Sequence, residues 1–447
     1  PMTYSVGYRR RASVSIGLSV GIGITYNSDV PRWQVSVFFK RFHMTNFGDW
    51  KQRVYDPIYN DFQQRKDTKL EIETTKSLES LRRRNKISER NEVFESFRFS
   101  DVLKSPLGII FRDIFAEYIE IPCFSCGKAT GKTKNHTYPL SNLMSRFLSK
   151  DSHIVGFHSG TEKEVVVVND QQWAFPKGSF KKQGEKKISI FHGFCSRCDH
   201  RIFKNADSKS LIEGDQRSVL EQLYRVLCST YYMTLNHTVI QQYLDKKEKE
   251  LGWRVANYST FSMGRNPATD ENLDMDKISP HFFEFSYQVY NLMQDFERVL
   301  PTSFNDCRII RQVINVKEPS VIGSFFLLDW QKRNIKINGI IRPVDVMGAL
   351  GIVYPISKTK TVCYIVGLPL GAPPLNDDLF SPYRDIMKEK GLKIALSKIL
   401  LENQMSVKNL VLSPIVFDSL SEKQKEMLCK APYVRGNDNA PEVNLFF

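Results

Sequence analysis

The chain of 447 residues has no apolar run long enough to span a bilayer, which excludes a helical membrane protein. Its first residues show no secretory pattern of basic, apolar and small residues. It has only eight cysteines, and they are not spaced as a secreted disulfide framework. A cytoplasmic protein with reduced thiols is the expectation from these three absences. Internal repeats and long low-complexity tracts are also missing. So is a phosphate-binding loop, although "GKATGKT" comes close to one. A Walker A loop needs four residues between its first Gly and its Gly-Lys pair; Gly127 and Gly131 enclose three. The residue one place earlier is Cys126, and "NHTYP" follows instead of a helix that could present its N-terminus to phosphate.

What is present is positive charge. There are 63 Lys and Arg against 49 Asp and Glu, a net charge of +14. An excess of that size favours a polyanion partner, most often nucleic acid. The length fits two to four domains. Alternating stretches "ASVSIGLSVGIGITYN" and "WQVSVFFKRF" suggest early strands. A charged helical pattern follows from Asn46 to about Phe99, with "LRRRNKISER" (81–90) as its most basic run, and "VLKSPLGIIFRDIFAEY" reads as an apolar helix or helix pair. Leu220, Leu223, Tyr224 and Leu227 recur at helical spacing, and that helix is expected to run on through "HTVIQQYLDKKEKEL". After an Asn-, Asp- and Gly-rich loop, "HFFEFSYQVYNLMQDFERVL" is a further amphipathic helix. From about Asp306 the texture changes. "CRIIRQVINV", "VIGSFFLLDW", "KTVCYIVGL" and "VKNLVLS" read as strands, and "YRDIMKEKGLKIALSKILLEN" and "SEKQKEMLCK" as helices. The expected organisation is a multidomain α+β protein: an N-terminal strand and helical region over 1–100, a zinc-binding domain with an insertion over 101–215, a helical region over 216–305 and a mixed α/β domain over 306–447.

The zinc expectation rests on Cys123, Cys126, Cys195 and Cys198. These form two Cys-x-x-Cys pairs, and two knuckles closing on one tetrahedral ion are the usual reason for such pairs among reduced thiols. Four thiolates leave the ion no open position, so the site is structural. The roughly 70 residues between the pairs are long for a zinc finger, and "VVVVNDQQWAF" and "KKISIFHGF" supply strands for an insertion. Cys228, Cys307, Cys363 and Cys429 stand alone in apolar surroundings and read as core. His136, His192 and His200 are left over, and a mixed site with one histidine in place of a thiolate is the alternative ligand set.

The segments "CFSCG", "KNHTYPLS" and "FHGFCSRCDHRIF" resemble the zinc-bearing HNH nucleases, the treble-clef or ββα-metal family. In that family a first Cys-x-x-Cys leads to an Asp-His-Ile-x-Pro-type strand, and a second Cys-x-x-Cys opens the final helix. The pattern is also similar to a widespread group of bacterial HNH-like proteins often associated with anti-phage defence, and the likeness extends from about Cys123 to the C-terminus. The resemblance implies His136 as the general base that takes a proton from the attacking water. It implies a divalent ion, Mg²⁺ or Mn²⁺, at the positions of Asn135 and Asp199. Both depart from the family's usual Asp and His: Asn135 offers a neutral oxygen and Asp199 a hard carboxylate. Asn142 and Asn205 are candidates for the family's middle Asn.

Lys128, Lys132, Lys134, Lys177, Lys181, Lys182, Lys186, Lys187, Arg197 and Arg201 gather around this module in sequence and suit phosphate contacts. Trp173, Phe175 and Phe180 read as core of the insertion. Two functions follow. One is an HNH-like metal-dependent nuclease cleaving DNA or RNA, with a role and a protein partner in phage defence implied by the resemblance. The other is a catalytically inactive, zinc-stabilised module that binds nucleic acid or recognises a protein.

Overall fold

The computed structural model describes residues 22–25, 34–37, 47–83, 119–128, 130, 133–168, 171–251, 275–301, 305, 307–337, 340–368, 370, 380–403, 409–430 and 442–446. Most of the alternating N-terminal stretch, residues 84–90 of the basic run, the apolar segment 102–118, Lys132 and the Asn-rich loop after the long helix lie outside these residues.

The structure mixes helix and sheet, as the α+β expectation requires. The first described elements are strands β1 (Ile22–Thr25) and β2 (Gln34–Val37), paired antiparallel. Helix α1 (Phe47–Trp50) continues through a wider turn at Lys51–Tyr55 into α2 (Asp56–Arg83). A short ribbon pairs β3 (Asn135–His136) with β6 (Ile190–Phe191). Between its strands lie the wide helix α3 (Leu140–Leu148) and the hairpin of β4 (His153–Val168) and β5 (Gln171–Gly184). Helices α4 (Ser196–Ile202), α5 (Ser210–Glu213), α6 (Gln216–Leu251) and α7 (Met275–Val299) follow. The last third holds β7 (Ile309–Asn315), β8 (Val321–Ile337), β9 (Ile340–Ser357), β10 (Lys360–Gly367) and β11 (Val411–Leu412), with helices α8 (Ser381–Lys390), α9 (Leu392–Glu402), α10 (Pro414–Ser419) and α11 (Glu422–Lys430).

One antiparallel sheet organises the molecule, in the order β5-β4-β11-β8-β9-β10-β7. The stretch between the two cysteine pairs is part of it. β4 pairs with β11, which pairs in turn with β8, so the hairpin from residues 153–184 extends a sheet made from the last third of the chain. Both faces of the sheet are covered. Ile322, Phe326, Leu350, Ile352, Tyr354, Val362, Tyr364 and Val366 face a core shared with α6, α7 and the cysteine module. Val321, Phe325, Leu327, Val353, Cys363 and Ile365 face a second core, closed by α8, α9, α11 and Leu445–Phe446. Strands covered on both sides need apolar residues at successive positions, which is why "TVCYIVG" shows no polar alternation.

Helix α6 is the central pillar. Asp215 caps its start, its carboxylate accepting from the Ser218 N–H at 2.9 Å. Every residue from Ser218 to Met233 is buried, so this helix is enclosed all round. Burial on that scale makes its polar residues informative, because each needs a partner inside the protein.

Cys228, Cys307 and Cys363 are buried as read from the sequence. Phe180 is buried and packs edge-on against Phe157. The side chains of Trp173, Phe175 and Cys429 lie outside the described residues. Among the described residues no helix is long and apolar enough to cross a membrane.

Candidate functional site

The first cysteine pair sits in a tight turn. The Gly127 N–H donates to the Cys123 carbonyl at 2.8 Å, and the Cys123 N–H to the Lys128 carbonyl at 2.7 Å. The second pair straddles the start of α4: Cys195 is extended and its carbonyl accepts from the Asp199 N–H at 3.0 Å. The two turns are stitched together by the Phe124 N–H, which donates to the Gly193 carbonyl at 2.9 Å. Gly193 must be glycine here, since a Cβ would come within 2.6 Å of the Phe124 ring.

This folding brings the four sulfurs of Cys123, Cys126, Cys195 and Cys198 to within 4.8 Å of one another. A tetrahedral ion with Zn–S bonds of about 2.3 Å needs sulfurs about 3.8 Å apart, and Cys126 and Cys195 stand 3.8 Å apart. The donor set is therefore one that can hold a metal ion. The Cys198 backbone amide, foremost among several hydrogen bonds, draws the Cys195 thiol down to about 7, while burial pushes Cys198 up to about 12. A cation among them would favour the thiolate at all four. Neither His192 nor His200 joins the cluster: His192 Nδ1 faces the Thr133 carbonyl at 2.7 Å, and His200 is exposed on α4.

The second cluster lies directly beside the first. β3 carries Asn135 and His136, and α4 carries Asp199 one residue beyond Cys198. Asn135 is buried, and its Oδ1 accepts from the Gly193 N–H at 3.0 Å and the Phe194 N–H at 2.9 Å. Its oxygen thus holds the turn that leads into the second cysteine pair. Its amide nitrogen has no hydrogen-bond partner.

His136 is half-buried. Its Nδ1 stands 3.2 Å from the Ile188 carbonyl, which can only accept, so Nδ1 carries the proton in the neutral ring and Nε2 keeps the lone pair. Burial holds its pKa below the usual 6.5; the Ile188 bond opposes this, and the charge of Arg225 adds to it.

Asp199 is half-buried as well. Burial raises its carboxyl above the ordinary carboxylate range, against the pull of Arg225 and of the neighbouring Asn135. Its Oδ1 lies 3.8 Å from Arg225 Nη2, an ion-pair distance too long for a hydrogen bond, and has no hydrogen-bond partner. Arg225 itself is buried on α6, stacked on the Phe203 ring at 4.2 Å, and bonded to both oxygens of Asp207 at 2.6 and 2.8 Å. Its Nε is likewise without a hydrogen-bond partner.

Helix α6 positions this whole group. Gln222 donates to the Thr137 carbonyl at 2.7 Å, and Ser229 bonds the Thr137 hydroxyl at 2.8 Å, fixing the residue after His136. Tyr138 then plunges into the sheet side and donates to the Asn409 carbonyl at 2.6 Å. Glu221 accepts from the backbone of Asn205 and Ala206, and from the Asn205 amide at 2.7 Å. Asn205 is thereby committed to the loop after α4. Asn142 on α3 donates its amide to the Asp207 carbonyl.

Asn135, His136 and Asp199 are thus brought into one neighbourhood, with Asn135 occupied structurally. Arg225, Asp207 and Glu221 were missed by the sequence reading. For Glu221 and Arg225 the signal was present in "LEQLYRVL", where the two charges stand one turn apart in a helix read as core; Asp207 left none. Of the basic residues, Lys128, Lys134, Lys181, Lys186, Lys187 and Arg197 are exposed. Lys182 pairs with Asp418 at 2.8 Å, and Arg201 donates to the Ser125 hydroxyl at 3.0 Å.

Comparison with family models, curated proteins and solved structures finds no match.

Proposed function

We propose that the protein is a metal-dependent nuclease of HNH type, in which a zinc-stabilised treble clef presents His136 as general base. The observation that supports this most is the state of His136. Its Nδ1 is committed to Ile188, its burial favours the neutral ring, and its Nε2 is left to take a proton. A knuckle, a two-stranded ribbon and a helix opening inside the second cysteine pair form the frame around it, an arrangement consistent with a treble clef. Four sulfurs within 4.8 Å of one another suit zinc in the structural role.

The donor set for a second, catalytic ion is sparse. Asp199 supplies one hard oxygen without a hydrogen-bond partner, while the Asn135 oxygen is taken by two backbone amides. Mg²⁺ and Mn²⁺ commonly use one or two carboxylates and complete their shell with water and phosphate oxygens, so Asp199 suffices as the protein's share. Such an ion would supply positive charge to the scissile phosphate. His136 orients and deprotonates the water. Asn135 holds the turn between ribbon and helix, and so the distance between base and carboxylate. The exposed lysines at 181, 186 and 187 and at 128 and 134 would hold the polyanion through its phosphates. The defence role and its protein partner rest on the resemblance alone.

The test is cleavage of single- and double-stranded DNA and RNA with Mg²⁺ or Mn²⁺. His136→Ala should lower the rate about 10²- to 10⁴-fold while zinc content and folding stay unchanged. Wild-type protein that cuts nothing, or a variant that cuts as fast, defeats the nuclease reading.

One observation favours the inactive module instead: Arg225 stands 3.8 Å from Asp199, a cation already beside the carboxylate that would hold the ion. In that reading the protein binds nucleic acid without cutting it. Affinity then falls with salt, and each lost lysine–phosphate contact lowers the logarithmic slope by about 0.9.

A further inference from the structure

The Arg225 guanidinium has two carboxylates within reach and uses them unequally. Both terminal nitrogens go to Asp207, at 2.6 and 2.8 Å, in the fork geometry that is strongest for this pair. Its face rests on Phe203. Asp199 lies just outside hydrogen-bond range at 3.8 Å, its Oδ1 buried and without a hydrogen-bond partner. A shift of about 1 Å would turn that gap into a direct bond. A buried guanidinium deprived of Asp207 would be driven to make it, because an unpaired charge is costly where water is excluded.

We propose that Asp207 is a positioning residue that restrains Arg225: by occupying both ends of the guanidinium fork it keeps the cation off Asp199 and leaves the Asp199 oxygen open to a divalent ion. The inference rests on the reading of Asp199 as an ion ligand and adds the device that keeps it available. It also accounts for a buried arginine beside a carboxylate that the proposed chemistry needs uncaptured. Asp207 is more exposed than Asp199, so it can anchor the fork at low desolvation cost while the carboxylate deeper in the site stays unbonded.

The experiment compares wild type, Asp207→Ala and Asp207→Ala/Arg225→Met in the full zinc-loaded chain. Methionine keeps an apolar stem over Phe203 and removes the charge. Mn²⁺ affinity is read by calorimetry and by the electron paramagnetic resonance of the bound ion. Asp207→Ala should weaken Mn²⁺ binding about ten- to a hundred-fold, the worth of one charge-assisted hydrogen bond formed in competition. The double variant should return to within about threefold of wild type, since the competing cation is gone. A crystal structure of Asp207→Ala should show Arg225 bonded directly to Asp199. Unchanged Mn²⁺ affinity in Asp207→Ala overturns the restraint, and so does a double variant that binds as poorly as the single. Arg225 keeping its wild-type distance from Asp199 in the crystal overturns it as well. If wild type binds no Mn²⁺, the nuclease reading falls, and the restraint is decided by the crystallographic distance alone.

Discussion

Cys198 and Asp199 are neighbours in sequence on one short helix, yet they belong to two differently built places. At Cys198 four like side chains converge, all from two local turns, and their donor set is complete. At Asp199 the groups are of mixed kind and come from β3, α4, the following loop and α6. Three of their buried atoms, Asn135 Nδ2, Asp199 Oδ1 and Arg225 Nε, have no hydrogen-bond partner. A closed set stabilises and does nothing else. An incomplete buried set costs stability, and such cost is commonly found where a ligand or a reaction requires it.

The largest effect should come from opening the closed set. Structural zinc in small domains is worth an apparent 10 kcal/mol or more, on the order of the whole stability of a domain. Metal removal by a strong chelator, or Cys198→Ser, should therefore unfold the ribbon and α4 and lower the melting temperature sharply. Elemental analysis should find one zinc per chain beforehand. A melting curve indifferent to the chelator would break the comparison at its firmer end.

Effects in the mixed cluster should be smaller and unequal. Arg225→Ala removes the buried stem and the guanidinium stacked on Phe203 while leaving the exposed Asp207 to solvent, and should cost about 1 to 3 kcal/mol. Asn135→Ala leaves the N–H groups of Gly193 and Phe194 unmet and should cost about 2 to 4 kcal/mol. Asn135→Asp keeps the oxygen to which both N–H groups donate and should cost less than Asn135→Ala where its carboxyl is protonated, whereas at neutral pH a second buried carboxylate beside Asp199 adds repulsion. Urea titrations measure all three. If Asn135→Ala proves as mild as Asn135→Asp with that carboxyl protonated, Asn135 is not the lock on the turn.

The cysteine cluster was legible because a Cys-x-x-Cys pair needs only one local turn to aim both sulfurs together. The helices were legible from periodicity, and α6 proved unbroken. β9 was not. Pro343, Gly348, Gly351 and Pro355 punctuate it like a loop, yet Gly351 is there because a Cβ would meet the Phe325 ring at 2.1 Å. The joining of β4 to β11 was also hidden, since a pairing between residues 155–156 and 411–412 leaves no local mark. The same holds for the mixed cluster. Asn135, His136 and Asp199 could be picked out by resemblance, but Arg225 enters from a helix whose other residues read as core. That Asn135 spends its oxygen on backbone amides depends on a turn 58 residues further along the chain.

The smallest effect is also the most selective, because it concerns the charge of one imidazole. In the unfolded chain His136 takes its proton near 6.5. In the folded protein burial resists that proton, with Arg225 and Lys134 adding to the resistance and the Ile188 bond and Asp207 opposing it. Between 6.5 and the lower folded value the unfolded state binds more protons, so stability falls as pH drops through that window. Well above 6.5 both states are neutral and the contribution is flat. Asp199 works in the opposite sense. Its raised carboxyl keeps a proton in the folded state that the unfolded chain releases near 3.8, so its contribution to stability rises as pH falls through its own window. The two are separated by variants. Wild type and His136→Gln, compared by urea unfolding from about pH 8 to about pH 5, should differ by a constant well above 6.5 and diverge as pH falls through it, with wild type losing more. For the nuclease, the acid limb of kcat/KM should be centred below 6.5, because burial holds the base neutral to lower pH than a free imidazole. A stability difference that does not change with pH, or an acid limb centred above 6.5, would show that the ring is not held neutral by burial.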